Sequence, residues 1–231
     1  LELDQGEQAT MYDNALQALA KLHALDWRAA GLDSLDRDRT AAPGLDQQLA
    51  YWEQTYAWAA DGESNPTVDG AFEWVRAHRP RGEDRLVLCW GDARLGNILF
   101  ADDLSVAALL DWEMATHGSP ELDLGWWLFL IRNHTAGIGA PVPAGFPSAE
   151  ATVARYQELT GNTVENLDFY EVFAALRLAI IMHRAGNLMI SAGLLPPGAP
   201  MRLSNPITQL LAEMLELPAP EGAVQSFVGN R

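Results

Sequence analysis

Apolar residues recur at three- and four-residue steps through most of the chain, and that spacing predicts helices. Residues 7–25 place Leu16, Leu19, Ala20, Leu22 and His23 on one helical face. His23 reads there as a packed or capping residue, and Lys21 as a solvated one. Helices over 45–60 and 66–78 carry Trp52, Tyr56, Trp58, Phe72 and Trp74 as core aromatics. The Asn65-Pro66 pair suits the start of the second of these. Residues 120–131, with Trp126, Trp127 and Phe129, continue the pattern, as do 148–160, 166–191 and 204–216. Two short apolar runs, 86–89 and 106–110, are β-like instead, and their ends can come together. Polar or glycine- and proline-rich stretches over 29–44 and 135–147 read as loops, and Pro196-Pro197-Gly198 separates the last two helices. The expected fold class is α+β, mostly α, with a small β element.

The two β-like runs deliver the residues that can do chemistry. The first leads into W-G-D-A-R-L-G-N-I-L-F (90–100), and the second ends in A-A-L-L-D-W-E (107–113). An Asp after glycine, an Asn five positions on, and a second Asp closing a β-like run form the layout of a phosphoryl-transfer loop. In such a loop one carboxylate orients the attacking hydroxyl, while an amide and a second carboxylate hold Mg²⁺ against the nucleotide phosphates. Asp92, Asn97 and Asp111 fill those places. All three offer hard oxygen atoms, which suit Mg²⁺ rather than zinc. Arg94, inside the loop, could reach a phosphate or brace the loop by pairing with Asp123 or Glu113. Glu113 either supports the metal ligands from behind or is simply solvated.

These stretches, with L-A-K-L-H-A-L-D-W (19–27), L-L-D-W-E-M-A (109–115) and G-S-P-E-L-D-L-G-W (118–126), resemble the aminoglycoside phosphotransferase and choline kinase superfamily, which shares the protein-kinase fold. The similarity is greatest to the branch of kinase-like domains fused to some acyl-CoA dehydrogenases. The resemblance implies the large carboxy-terminal lobe of that fold over 1–231, with a small β-hairpin at the catalytic loop. It makes Asp92 the catalytic base, Asn97 and Asp111 the Mg²⁺ ligands, and Asp123 an acid bracing the loop. ATP and Mg²⁺ are the implied cofactors. Trp90 stands where the family usually has histidine, so loop support there comes from a different side chain.

A kinase-like small lobe needs a glycine-rich strand turn, a phosphate-binding lysine and a helix glutamate to pair with it. Lys21 is the single lysine, and no Gly-x-Gly-x-x-Gly precedes Asp92. The expectation is therefore that the amino-terminal ATP-binding lobe is absent from this chain and completes the site as part of a longer protein.

Composition narrows the partners. The net charge of −16 disfavours nucleic acid and anionic membranes. One cysteine, Cys89, rules out an internal disulfide and reads as buried packing. No apolar run reaches the roughly 18 residues of a membrane span. The cytoplasm, where ATP is supplied, is the expected compartment. The short stretch between Asp111 and Asp123 cannot hold a long regulated activation segment, which points to a small-molecule kinase with an aminoglycoside-like or hydroxy-acid-like acceptor. That acceptor should bind against the helices after Asp123. Trp126, Trp127, His183, Arg184 and Asn187 are candidates by position only, with packing the plainer role for each. The competing reading is a catalytically silent binding module that keeps the fold.

Overall fold

The computed structural model describes residues 3–35, 43–81 and 85–224. Seven α-helices appear among them: α1 Gln5–His23, α2 Leu45–Ala60, α3 Pro66–Ala77, α4 Glu121–His134, α5 Ala149–Thr160, α6 Leu167–Ser191 and α7 Pro206–Met214. Their starts follow from local chemistry. Asp4 and Glu7 form a reciprocal capping box on α1, and Asn205 with Thr208 forms another on α7. Asn65 caps α3, with Pro66 in its first turn, and Ser148 caps α5. Of the expected loop over 29–44, residues 29–31 form a turn, Asp33–Leu35 form one turn of 3-10 helix, and 36–42 lie outside the described residues.

The core is built on α4 and α6. Trp126, Trp127 and Phe129 of α4 and Phe173, Leu176 and Ile180 of α6 are buried. Gly125 makes the close approach possible, since a Cβ there would lie 2.7 Å from the Tyr170 backbone carbon. By length and composition α6 could cross a membrane, a correction to the expectation that no segment qualifies. More than half of its apolar window is buried against the other elements, as in the core helix of a folded domain.

The β element consists of two short antiparallel ladders. β1 (Val87–Cys89) and β3 (Val106–Leu109) do not pair with each other. β1 pairs antiparallel with β4 (Thr116–Gly118), and β3 forms a hairpin with β2 (Ile98–Phe100). The expected hairpin at the catalytic loop is thus β2–β3, and β1–β4 is a second ladder that fixes the other end of the same segment. Each partner strand is three residues long, too short to display alternation in the sequence.

Candidate active site

The loop leaving β1 turns sharply at Gly91. Its φ is +92°, and a Cβ there would come within 2.2 Å of the Met114 carbonyl oxygen, so only glycine fits. Two amides of this turn, Trp90 N–H and Gly91 N–H, donate to the two oxygens of Asp123 at 2.6 and 2.7 Å. Asp123 is fully buried in the first turn of α4. His23 Nε2 lies 3.0 Å from the same carboxylate, and its Nδ1 lies 2.6 Å from the Tyr156 hydroxyl. In the tautomer protonated at Nε2, the imidazole would donate to Asp123 and accept from Tyr156. His23, Cys89 and Asp123 have ligand atoms within 4.8 Å of one another, but each is already engaged in a hydrogen bond. Burial pushes the Cys89 thiol well above its ordinary pKa, so it is an inert packing group.

Beyond the turn, Asp92 is held from three sides. Trp126 Nε1 donates to Oδ1 at 2.8 Å, while Asn97 Nδ2 and Arg94 Nε donate to Oδ2 at 2.6 and 3.0 Å. Asn97 Nδ2 also reaches the Asp92 carbonyl at 3.1 Å. Its amide oxygen has no hydrogen-bond partner among the described residues. The hairpin brings the second acid alongside, because Leu110 N–H donates to the Asn97 carbonyl at 2.8 Å. Asp111 follows directly, exposed and with φ of +62°. Its carboxylate accepts no hydrogen bond among the described residues. A free amide oxygen and a free carboxylate, from residues at one end of the β2–β3 hairpin, make a donor set of the kind that Mg²⁺ takes.

Trp90 is fully buried, and its indole N–H donates to the Leu110 carbonyl at 2.8 Å. It ties the loop directly to the residue before Asp111. Arg94 corrects the sequence reading. It pairs with Asp92, two positions away, at 3.0 Å, a partner that the sequence reading did not name. Glu113 is exposed. Of the acceptor-side candidates, Trp127 donates to the Tyr12 hydroxyl, Asn187 to the Ala59 carbonyl, and Arg184 lies over Trp58. These three pack, as does buried His183. Trp126 packs too, yet it also touches the candidate base.

Two features escaped the sequence reading. Arg177, buried in α6, donates to the Gly91 carbonyl at 3.1 Å. The only signal for it is a lone cation inside F-A-A-L-R-L-A-I-I (173–181). The second is a cavity of about 280 Å³ beside the loop, walled by Arg94, Gly96, Trp127, Leu130, His134 and Phe146 among others. Desolvation there, with the Arg94 charge nearby, holds the His134 imidazole below the ordinary histidine range, against the pull of Asp92.

Comparison with known proteins places this arrangement. A solved structure from Ralstonia eutropha JMP134, titled as a candidate aminoglycoside phosphotransferase, superposes with a TM-score of 0.74 at 24% identity, covering 93% of this chain and 67% of that one. A type I macrolide 2'-phosphotransferase matches at 0.56 and 16% identity, over 83% of this chain and 56% of that one. The fold is therefore the protein-kinase-like phosphotransferase fold. Residues 1–159 match the model of the phosphotransferase enzyme family, and the chain belongs to that family. Its curated relatives include mouse acyl-CoA dehydrogenase family member 10, 26% identical over 92% of this chain, and mouse member 11, 28% identical over 77%. The chain spans only 20% and 23% of the length of these two.

Proposed function

We propose that this chain is the large lobe of an ATP-dependent phosphotransferase that moves the γ-phosphoryl group to a hydroxyl of a small molecule. The observation that carries the reading is the unequal use of oxygen atoms at the site. Asp92 Oδ2 already accepts two hydrogen bonds, whereas Oδ1 accepts one, from Trp126. A carboxylate oxygen has room for two, so Oδ1 is the atom that meets the acceptor hydroxyl and takes its proton. Asn97 Oδ1 and the Asp111 carboxylate would hold Mg²⁺, which when bound neutralises charge on the β- and γ-phosphate oxygens. Asp123, His23 and Trp90 hold the backbone that presents these groups.

The cavity at Arg94 and His134 is the acceptor site in this reading. Its lining contains one guanidinium and no carboxylate, and most of the wall is apolar. Such a pocket suits a hydroxy-acid-like acceptor with an apolar body better than a polycationic aminoglycoside. Leu99, Leu110 and Trp112 are exposed around Asp111 and form the face that the nucleotide and the amino-terminal lobe of the same protein would cover. Trp90 supplies loop support in the place of histidine, which leaves the silent-module reading without its motive. The cytoplasm, with its supply of ATP, remains the proposed compartment.

The test is a phosphorylation screen of the full-length protein with Mg·ATP against aminoglycosides, choline-like amines, sugars and hydroxy acids. The 231-residue lobe and Asp92→Ala serve as companions. Transfer by the full-length protein alone is the expected result. No Mg²⁺-dependent ATP binding or turnover in the full-length protein would end the reading, and equal activity in the lobe would end the need for a second one.

A further inference from the structure

Arg177 is a buried cation that the proposed chemistry does not use. It lies in α6 with 3% of its surface exposed. A guanidinium carries five N–H donors, and taking it out of water is expensive unless they are met. Here it makes one hydrogen bond, Nη2–H to the Gly91 carbonyl, and no ion pair among the described residues. Its Nε is buried without a partner, and the residue borders a cavity of about 20 Å³ shared with Gln48, Trp52 and Thr116, large enough for one water molecule. The rest of the guanidinium is sandwiched by aromatic rings, 4.6 Å from the centre of Trp126, 5.3 Å from Trp52 and 5.9 Å from Phe173. Burial lowers its pKa to about 10, which still leaves it charged at neutral pH.

The two groups that Arg177 touches most closely are the two that set Asp92. Gly91 is the most permissive residue of the loop. Its N–H, on the peptide that enters it from Trp90, is fixed by Asp123, and its C=O, on the peptide that leads into Asp92, is held by Arg177, so the peptides on both sides of this permissive residue are each fixed. Trp126 aims its N–H at Asp92 Oδ1. A cation over its ring resists tilting of the indole, because the attraction depends on the ring face. A packing arginine with an ordinary structural role would pair with a carboxylate, and Asp123, the nearest buried one, is already committed to amides.

We propose that Arg177 is a positioning residue for Asp92, acting through the Gly91 carbonyl and the Trp126 ring. This rests on Asp92 being the base. Removing the guanidinium leaves the carbonyl unmet and lets the indole rock, so the carboxylate loses its aim while the nucleotide side is untouched. Small displacements of a reacting group are enough to lower turnover by about a hundredfold.

The experiment uses the full-length protein with Mg·ATP as the probe and water as acceptor, read as phosphate release. Arg177→Met is expected to lower kcat by about ten- to a hundredfold, with KM for Mg·ATP within about twofold of the parent. The Trp126 indole ¹H–¹⁵N signal, assigned with Trp126→Phe, should move or broaden. Arg177→Lys should recover part of kcat by donating to the Gly91 carbonyl. A folded Arg177→Met with kcat within twofold of the parent, or with an unmoved indole signal, overturns the proposal. Should Arg177→Met fail to fold, Arg177→Lys carries the test, and a parental kcat with a parental indole signal overturns it. Asp92→Asn is run in parallel. If Asp92→Asn keeps parental turnover, the reading of the site falls. If it is inactive while Arg177→Met is normal, only the role of Arg177 falls.

Discussion

Asp92 and Asp111 flank the same loop and hairpin, yet the fold treats them in opposite ways. The Asp92 side chain is only 15% exposed, takes three side-chain hydrogen bonds, and is entered by a peptide whose carbonyl is held from α6. Asp111 is exposed, takes no hydrogen bond among the described residues, and sits in the left-handed region, which costs on the order of 1 kcal/mol outside glycine. The contrast separates what this lobe builds from what it leaves to a ligand. The acid proposed as the base is aimed by the protein itself. The acid proposed to hold Mg²⁺ is left open, in a conformation that the hairpin imposes through the bond from Leu110 to Asn97.

The sharpest way to break the contrast is Asp92→Asn in the full-length protein. Turnover should fall by roughly 10²- to 10⁴-fold, the scale of a lost general base, with Mg·ATP affinity in calorimetry little changed. Near-parental turnover would mean that the aimed acid does no chemistry. Next in size is Asp123→Ala. It strands two buried amides and His23, each worth about 1–3 kcal/mol when unmet, so urea denaturation should report a loss of about 2–5 kcal/mol. A loss under about 1 kcal/mol would show the loop to be held by something else. Asp111→Asn should do the reverse: stability within about 0.5 kcal/mol of the parent, since it touches no partner and asparagine tolerates the same backbone. The Mg²⁺ needed for half-maximal turnover should rise about tenfold or more. An unstable Asp111→Asn would put that residue among the structural acids instead.

The smallest expected effect lies away from both acids. Burial holds the His183 imidazole below the ordinary histidine range, against the Arg202 carbonyl and Asp69. As pH falls below about 6.5, the unfolded chain takes up a proton there that the folded chain refuses. Stability is therefore full above that pH and is lost as pH drops toward the lowered folded value. His183→Gln should remove that part of the decline, seen as a Tm that falls by a few degrees less between pH 7 and pH 5.5. If the slope is unchanged, the acid sensitivity of the fold belongs to other groups.

The helices were legible because buried faces at a 3.6-residue period are long-range patterns, and every expected helix formed. The strands were half legible. β1 and β3 carry enough apolar residues to be noticed, but their three-residue partners do not, so β2 and β4 went unnamed. Asp92, Asn97 and Asp111 stood out by spacing and by the family resemblance, and the site proposed here rests on them. Their supports were harder. Trp126 looks like core at helical spacing, and it is core; that its N–H ends on Asp92 depends on the orientation of α4 against the loop. Arg177 reaches Gly91 across 86 positions, a contact that only the packing of α6 creates. The partner of Arg94 was misjudged for a similar reason. Local charge suggested Asp123 or Glu113, and the arginine turns to the acid of its own loop.

The linkage of Trp90 and Gly91 to Asp123 bears on how long the site survives in solution. These two amides belong to no helix or ladder, and loop amides ordinarily exchange hydrogen with water through small local openings. Here their acceptor is wholly buried and tied to His23, 100 positions earlier, and through it to Tyr156 of α5. Freeing them requires α1, α4 and α5 to part together. In deuterated water they should be among the last protons to leave, exchanging only when the entire lobe comes undone.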